Sequence, residues 1–191
     1  NEVPARRDER PPPRESPVLE LFQGWKSFFP EDLTASGRPL VEKLRRQFLN
    51  EVLPSFLMNQ RWFAAKGEQI KSIEIERQFE WEGKGNGAWL LMQIEVRLSA
   101  SGTQRYFLPL SLSGQKNHED RINSLGPAIV ARTRVQAETG VLYDAFADEA
   151  FCQALLGGME HGSAVPLRDG QLRFKTTGAF RQLAGKQPSN L

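Results

Sequence analysis

The sequence has few cysteines and histidines and no long apolar run, and each shortage excludes a class of protein. Cys152 is the single cysteine in 191 residues, so no disulfide can form within the chain and a reducing compartment, the cytoplasm, is expected. Two distant histidines and one cysteine do not supply the ligand cluster of a metal site. No apolar stretch approaches the roughly 20 residues of a membrane helix, so no membrane partner is expected.

An excess of charge of one sign is also missing. The chain has 25 Lys and Arg against 23 Asp and Glu, a net charge of +2. Such a small excess is not the clustered basic surface of a nucleic-acid-binding protein, so no nucleic-acid partner is expected. The hydrophobic fraction of 39% is ordinary for a globular protein, and the length suits one domain with a buried core.

Proline is concentrated at the start of the chain. Five of the twelve prolines fall within residues 1–17, among arginines and acidic residues. This composition cannot bury enough apolar surface to offset its ordering entropy, which predicts an extended linker. A linker at the front of a domain implies an attached segment upstream, and the opening Asn1 in place of methionine indicates a fragment or a trimmed chain. Residues 18–182 are expected to form one domain, followed by a second linker over 183–191.

The stretch 39–58 is the clearest helix. Its apolar residues recur at three- and four-residue spacing, with charged residues largely between them. Pro39 suits the first turn, whereas Pro54 is expected to kink the helix or end it, because it lacks an N–H.

After residue 70 the hydrophobic period changes to two. Three alternating runs separated by Gly- and Ser-containing turns predict an antiparallel meander with one buried face. Pro109 is expected on an edge strand or at a bulge. Two further strands are predicted at 127–136 and 138–146. The alternating apolar residues of the first run are Ile73, Ile75, Phe79 and Trp81.

The C-terminal third predicts a short helix and a hairpin. Asp148 can cap a helix that runs to about Leu156 and ends at Gly157-Gly158. Residues 164–176 predict a hairpin that turns at Asp169-Gly170. The fold class is therefore α+β, with a long amphipathic helix packed against a curved antiparallel sheet, plus the short helix and the hairpin.

Two motifs that could carry phosphoryl-transfer chemistry do not fit their templates. The glycines of Gly83–Gly87 lie between two predicted strands and lack the G-x-G-x-x-G spacing, so we interpret them as a hairpin turn. His118-Glu119-Asp120 lacks an Asn five residues after the Asp, where Leu125 stands, and is interpreted as a solvated loop. Neither catalytic nor cofactor-binding residues are predicted in this chain.

One connection, directly after the long helix, combines large aromatic and cationic side chains. One interpretation is a core-filling link between helix and strand, with Arg61 paired to a carboxylate. A second is a surface that recognises a neighbouring domain, because Trp and Arg dominate binding hot spots. A third is a Trp that stacks on a sugar. The candidate interdomain contact residues are Gln60, Arg61, Trp62, Phe63 and Lys66.

This connection resembles the opening of the maltokinase N-terminal cap domain. The pattern L-P-x-x-L-x-x-Q-R-W-F-x-x-K-G runs from Leu53 to Gly67, and Glu138–Ala145 followed by Asp148 is similar to a later strand-helix unit of that family. The sequence departs from the usual family pattern at Met58 or Asn59, where Arg is commoner, and at Ala64 or Ala65, where Gly is commoner. The similarity covers roughly residues 20–180.

The resemblance implies a non-catalytic module of a longer kinase. Maltokinases phosphorylate maltose to maltose 1-phosphate with ATP and magnesium, and their cap, of cystatin-like shape, rests beside the nucleotide-binding lobe. The expected partners are the kinase core of the same polypeptide and an upstream trehalose synthase domain, because residues 1–17 and Gly24-Trp25 are similar to the joint of such fusions. The competing hypothesis is a stand-alone cystatin-like domain that binds a protein or another ligand.

Overall fold

A computed structural model describes residues 17–21, 24–29, 38–83, 87–114, 118–135, 138–167 and 170–184. The predicted α+β class is confirmed: a curled sheet of six strands packs against one long helix, and a two-stranded hairpin forms a second, small sheet. Apart from Pro17, the predicted N-terminal linker lies outside the described residues, and so does most of the predicted C-terminal one.

The long helix has three segments and confirms the amphipathic pattern of the sequence. Helix α1 (Arg38–Gln47) continues through a π-helical turn (Phe48–Val52) into α2 (Leu53–Asn59). The expectation that Pro54 could end the helix is wrong, because the helix passes through it. The N–H of Leu53 bonds to the carbonyl of Phe48, five residues back instead of four. The widened turn gives the proline ring room beside the preceding carbonyls.

The predicted meander and the two further strands are confirmed. The six strands of the large sheet are β1 (Val18–Glu20), β2 (Ile70–Glu82), β3 (Ala88–Leu98), β4 (Thr103–Ser113), β5 (Ile129–Val135) and β6 (Glu138–Asp144). Strand β1, which the sequence did not reveal, pairs parallel with β5. All other neighbours in this sheet are antiparallel, and the strand order is β1-β5-β6-β4-β3-β2.

The shorter elements correct the sequence analysis in two places. Helix α3 (His118–Leu125) forms where a solvated loop was predicted at His118–Asp120. Helix α4 (Glu149–Glu160) does not stop at Gly157-Gly158, as predicted, but continues to Glu160. The hairpin β7–β8 is confirmed, although its predicted turn residue Asp169 lies outside the described part. These elements are 3-10 turns at Gly24–Phe28, Gly126–Ala128 and Ala145–Ala147, helices α3 (His118–Leu125), α4 (Glu149–Glu160) and α5 (Gly178–Ala184), and strands β7 (Ala164–Leu167) and β8 (Gly170–Arg173).

A bulge in β2 makes the prediction of one buried face wrong for this strand. The register between β2 and β3 shifts between Ile75 and Arg77, so the alternation reverses there. Before the bulge, Ile73 and Ile75 pack in the core shared with the long helix. After it, Phe79 and Trp81 pack in a second core on the opposite face of the sheet.

The main core lies between the long helix and the inner face of the sheet. It joins alternate residues of β3 and β4, such as Met92 and Leu108, to Phe48 and other helix residues. Phe28 of the first 3-10 turn is fully buried against Phe48, with ring centroids 5.3 Å apart. Trp25 of the same turn also belongs to this core, and its indole N–H donates to the carbonyl of Ala88.

The second core attaches α4 and the hairpin to the outer face. Trp81 packs against Trp89 and Phe174, each at a centroid distance of 5.1 Å, and Trp89 packs against Phe151 of α4. Gly158 makes the contact with Phe174 possible, because a Cβ at this position would lie 2.9 Å from the nearest Phe174 ring atom. Close packing, and not helix termination, is therefore the role of this glycine.

The two adjacent glycines of α4 predict opposite responses to alanine. A Cβ at Gly158 meets the Phe174 ring, whereas nothing lies within 4 Å of a Cβ at Gly157. Both variants gain helix propensity. Only Gly158→Ala overpacks its surroundings, which reduces the free energy of unfolding by about 1–3 kcal/mol. We expect Gly158→Ala to be less stable than Gly157→Ala by about that amount. Urea unfolding measures the difference, and equal stabilities would show that the ring moves aside freely.

Asp148 ties the second core to three strands of the sheet. One carboxylate oxygen accepts hydrogen bonds from the Ser111 hydroxyl (2.6 Å), the Trp89 indole N–H (3.1 Å) and the Tyr143 hydroxyl (3.3 Å). The other accepts from the Ala150 N–H at 3.1 Å, which confirms the predicted cap of α4. Burial acts to raise the pKa of this carboxyl group, but the four hydrogen bonds outweigh it, so the pKa of Asp148 lies below its usual value.

Replacing this carboxylate should make stability less dependent on pH. A lowered pKa in the folded state contributes stability that is complete above the unfolded pKa of about 3.9 and is lost as the pH falls through the folded value. We expect Asp148→Asn to cost about 1.5–3 kcal/mol at pH 7, the range for a hydrogen bond to a charged group, and the deficit to shrink below about pH 4.

Urea unfolding from pH 7 to pH 3 measures this deficit. Glu149→Gln is the matched control, because it removes a neighbouring exposed carboxylate at the same helix terminus. A deficit of Asp148→Asn that stays constant over the whole pH range would contradict the assignment.

Candidate functional site

The segment Gln60–Lys66 begins where the long helix ends. Gln60 leaves the helical conformation (φ −80°, ψ 136°), and its N–H donates to the carbonyl of Leu57. The N–H of Phe63 then donates to the carbonyl of Gln60 at 3.3 Å, which closes a tight turn. The five candidate residues divide into two groups, with Gln60 and Phe63 buried and with Arg61, Trp62 and Lys66 exposed.

Gln60 and Phe63 point into the protein. The side-chain amide of Gln60 donates to the carbonyl of Pro127 at 2.9 Å, which holds the segment against the start of β5. Phe63 is 1% exposed and belongs to the main core, with its ring 5.4 Å from that of Tyr106. These two residues fit the first interpretation from the sequence, in which the connection fills gaps in the core.

Trp62 lies on the surface but is supported from below. It is 44% exposed, and its ring packs against Tyr106 at 5.7 Å and Phe56 at 6.4 Å. Tyr106 was not among the predicted site residues, although its place among the alternating residues of β4 was the available signal. Its hydroxyl donates to the side chain of Gln104, and burial raises the pKa of the phenol. Such support limits the rotamers of an exposed indole, which favours binding.

The two cations of the segment are exposed. Neither Arg61 nor Lys66 has an ion-pair partner in the described part of the chain, so the predicted pairing of Arg61 with a carboxylate is not found there. The nearby carboxylate of Glu68 is engaged elsewhere, because it accepts from the backbone N–H groups of Ser101 and Ala100, each at 2.8 Å. These bonds, with Ser101 first, lower the pKa of Glu68.

A separate open cavity of about 470 Å³ lies at the N-terminus of α4. Asp148 and Tyr143 line it, but the Asp148 carboxylate already receives its four internal hydrogen bonds. This cavity contains none of the five candidate residues. It therefore belongs to the attachment of α4 and not to the predicted contact segment.

Two motifs failed the templates for phosphoryl transfer in the sequence analysis. The hairpin predicted for Gly83–Gly87 is confirmed, whereas the loop predicted for His118–Asp120 is wrong. Gly83–Gly87 joins β2 to β3, and the Gly83 N–H donates to the Gly87 carbonyl at 2.8 Å, which confirms the hairpin. His118–Asp120 begins α3, and its side chains lie outside the described part. Within the described residues, no group of three potential metal ligands is found, and no helix is long and apolar enough to span a membrane.

Together the fold and the segment define a mixed α+β domain with one supported aromatic and cationic loop on its surface. Residues 56–148 match the family model of the maltokinase N-terminal cap domain. This match supports the resemblance found in the sequence. A comparison with curated proteins gave no match.

The division of the segment predicts unequal effects on stability. Phe63→Ala should cost about 3–5 kcal/mol, because it empties a fully buried position. Arg61→Ala and Lys66→Ala should change stability by no more than about 0.5 kcal/mol, because both side chains are exposed. Trp62→Ala should fall between these limits. Thermal unfolding of the four variants tests this order, and a loss for Arg61→Ala as large as that for Phe63→Ala would contradict it.

Proposed function

We propose that this chain is a non-catalytic cap module that positions or stabilises the nucleotide-binding lobe of a maltokinase. In this proposal, the parent polypeptide transfers the γ-phosphate of ATP to maltose with the help of magnesium, and the chain itself contributes no catalytic or cofactor-binding residue. The match to the cap family over residues 56–148 carries the proposal. An upstream trehalose synthase domain and a cystatin-like shape belong to the same proposal.

The exposed part of the segment supports a contact with the kinase core. A domain that needed this connection only for folding would require the buried residues Phe63 and Gln60. It would not require a half-exposed tryptophan and two cations that have no ion-pair partner in the part of the chain that the structure describes. Trp and Arg are the residues that most often dominate protein-protein interfaces. Arg61, Trp62 and Lys66 are accordingly the proposed contact residues, with Gln60 and Phe63 holding the segment in place.

A test of the proposal compares the chain alone with the full-length kinase. Arg61→Ala should leave the unfolding of the 191-residue chain unchanged, but in the kinase it should lower maltose phosphorylation or loosen the docking of the cap, measured by limited proteolysis between the domains. Interface hot-spot residues typically contribute more than about 1 kcal/mol of binding free energy. For the double variant Arg61→Ala/Trp62→Ala we therefore expect the docking equilibrium to weaken by at least about fivefold.

Lys43→Ala is the matched control, because it removes an exposed cation from α1, away from the segment. If the double variant has the same activity and protease sensitivity as this control, the contact does not exist. A stand-alone binding domain predicts that outcome. Formation of maltose 1-phosphate by the 191-residue chain alone, above a contaminant control, would contradict the non-catalytic assignment.

A further inference from the structure

In the described part of the chain, four of the eleven residues of β4 are paired along one of its edges. Its pairing with β6 extends from Leu110 to Ser113, where Leu110 is opposite Asp144, the last residue of β6. The chain then turns away at Ala145, whose carbonyl accepts from the Asp148 N–H. In the described part of the chain, no other strand takes the place of β6 beside residues 103–109.

The backbone groups on this edge point outward at alternate residues. The Leu98 N–H donates to the Gly102 carbonyl beside the pair Arg97–Thr103, and the register of β3 and β4 is unbroken from there. By the antiparallel alternation, even-numbered residues of β4 therefore bond to β3, whereas Arg105 and Phe107 direct their N–H and C=O groups to the open side.

Pro109 has the same outward orientation, and it limits the open stretch. Its missing N–H removes no bond to β3, which explains how a proline is accommodated in a strand that is internal in the sheet. The edge that can accept a partner is thus short and runs from Thr103 to Phe107. This edge is called the β4 edge below.

Exposed aromatic rings stand on both sides of the β4 edge. Phe107 is 50% exposed on the outer face, and Trp62, packed over Tyr106, is 44% exposed on the inner face. The one charged side chain of the edge, Arg105, is held by Glu76 at 3.1 Å and Glu95 at 3.6 Å on the neighbouring strands. By contrast, the long edge strand β2 carries exposed charges along its length, as edges protected from pairing do.

We propose that the β4 edge accepts an extended segment of the kinase polypeptide outside this chain, as an added strand in line with β6. This inference rests on the proposed function and specifies how the cap and the core join. Main-chain bonds to Arg105 and Phe107 provide the attachment, and apolar side chains of the segment meet Phe107 on one face and Trp62 on the other. Because Arg61 and Lys66 have no ion-pair partner among the described residues, we infer that the segment carries carboxylates.

A second copy of the chain fits this edge less well. A two-fold contact places the same patch against itself, so the exposed cations Arg61 and Lys66 of both copies would meet at the interface. Like charges that face each other across an interface are destabilising. Charge complementarity therefore favours an acidic segment of the kinase polypeptide over self-association.

Amide hydrogen exchange at single-residue resolution tests the proposal. In the 191-residue chain, the amides of Arg105 and Phe107 should exchange rapidly, while those of Gln104 and Tyr106, which bond to β3, should be protected. In the full-length kinase, the Arg105 and Phe107 amides should exchange at least about tenfold more slowly. The amides of Gln104 and Tyr106 are the internal control in both samples.

Two substitutions separate the main-chain contact from the aromatic one. Phe107→Pro removes an outward N–H without removing a bond to β3, so the chain alone should stay folded, but the kinase should lose protection at Arg105. Phe107→Thr removes the ring and keeps the N–H, so it should retain most of that protection. Thermal unfolding of the chain alone verifies that both variants are folded. If Phe107→Pro unfolds the chain, the exchange comparison on the unsubstituted protein still decides.

Three results would overturn the inference. Rapid exchange of Arg105 and Phe107 in the kinase excludes an added strand. Protection in the isolated chain that increases with concentration assigns the edge to a second copy. Protection in the kinase that Phe107→Pro leaves unchanged excludes pairing through this N–H. If docking still depends on Arg61 and Trp62 in any of these cases, the proposed function survives and only the added strand is wrong.

Discussion

The Asp148 carboxylate is the interaction on which the arrangement of this domain depends. It binds β3 through Trp89, β4 through Ser111 and β6 through Tyr143, and with its second oxygen it starts α4. It therefore connects the second core to the three central strands by hydrogen bonds. A half-buried carboxylate is stable there because every donor around it favours the charged form.

The same turn that places Asp148 also shapes the proposed contact surface. Since the chain leaves the sheet at Ala145 to reach Asp148, β6 stops opposite Leu110, and the rest of β4 has an open edge. The segment after α2 lies beside this edge, held by Gln60 at the start of β5 and by Phe63 under Tyr106. The change of chain direction at Ala145 thus has two consequences. It places Asp148 where this residue attaches α4 to the sheet, and it leaves the edge of β4 open beside the segment after α2.

The two cores divide the sheet between different tasks. The main core joins the long helix, the N-terminal turn and the inner face, and it supports the segment through Phe56 and Phe63. The second core joins α4 and the hairpin to the outer face at the other end of β2 and β3. Because β3 contributes to both, with Met92 in one and Leu91 in the other, its first half is buried on both faces.

The sequence by itself determined the elements that depend on local pattern. Periodicity predicted the long helix and the meander, the capping residue Asp148 predicted the start of α4, and the string from Gln60 to Gly67 indicated the family. Local signals act within a few residues, so they survive without knowledge of the fold. The pattern of the segment also indicated which side chains could form a contact.

Only the tertiary structure decided which of these side chains face outward and where the strands change face. The bulge after Ile75 reversed the alternation of β2. The π-helical turn allowed the helix to continue past Pro54. Gly158, which the sequence predicted to end a helix, instead packs closely against Phe174. Likewise, Gln60 and Trp62 differ in exposure because of Pro127 and Tyr106, which are distant in the sequence. Each outcome depends on a residue that folding brings close. Such long-range contacts produce no periodic pattern in the sequence, so the sequence alone does not predict them.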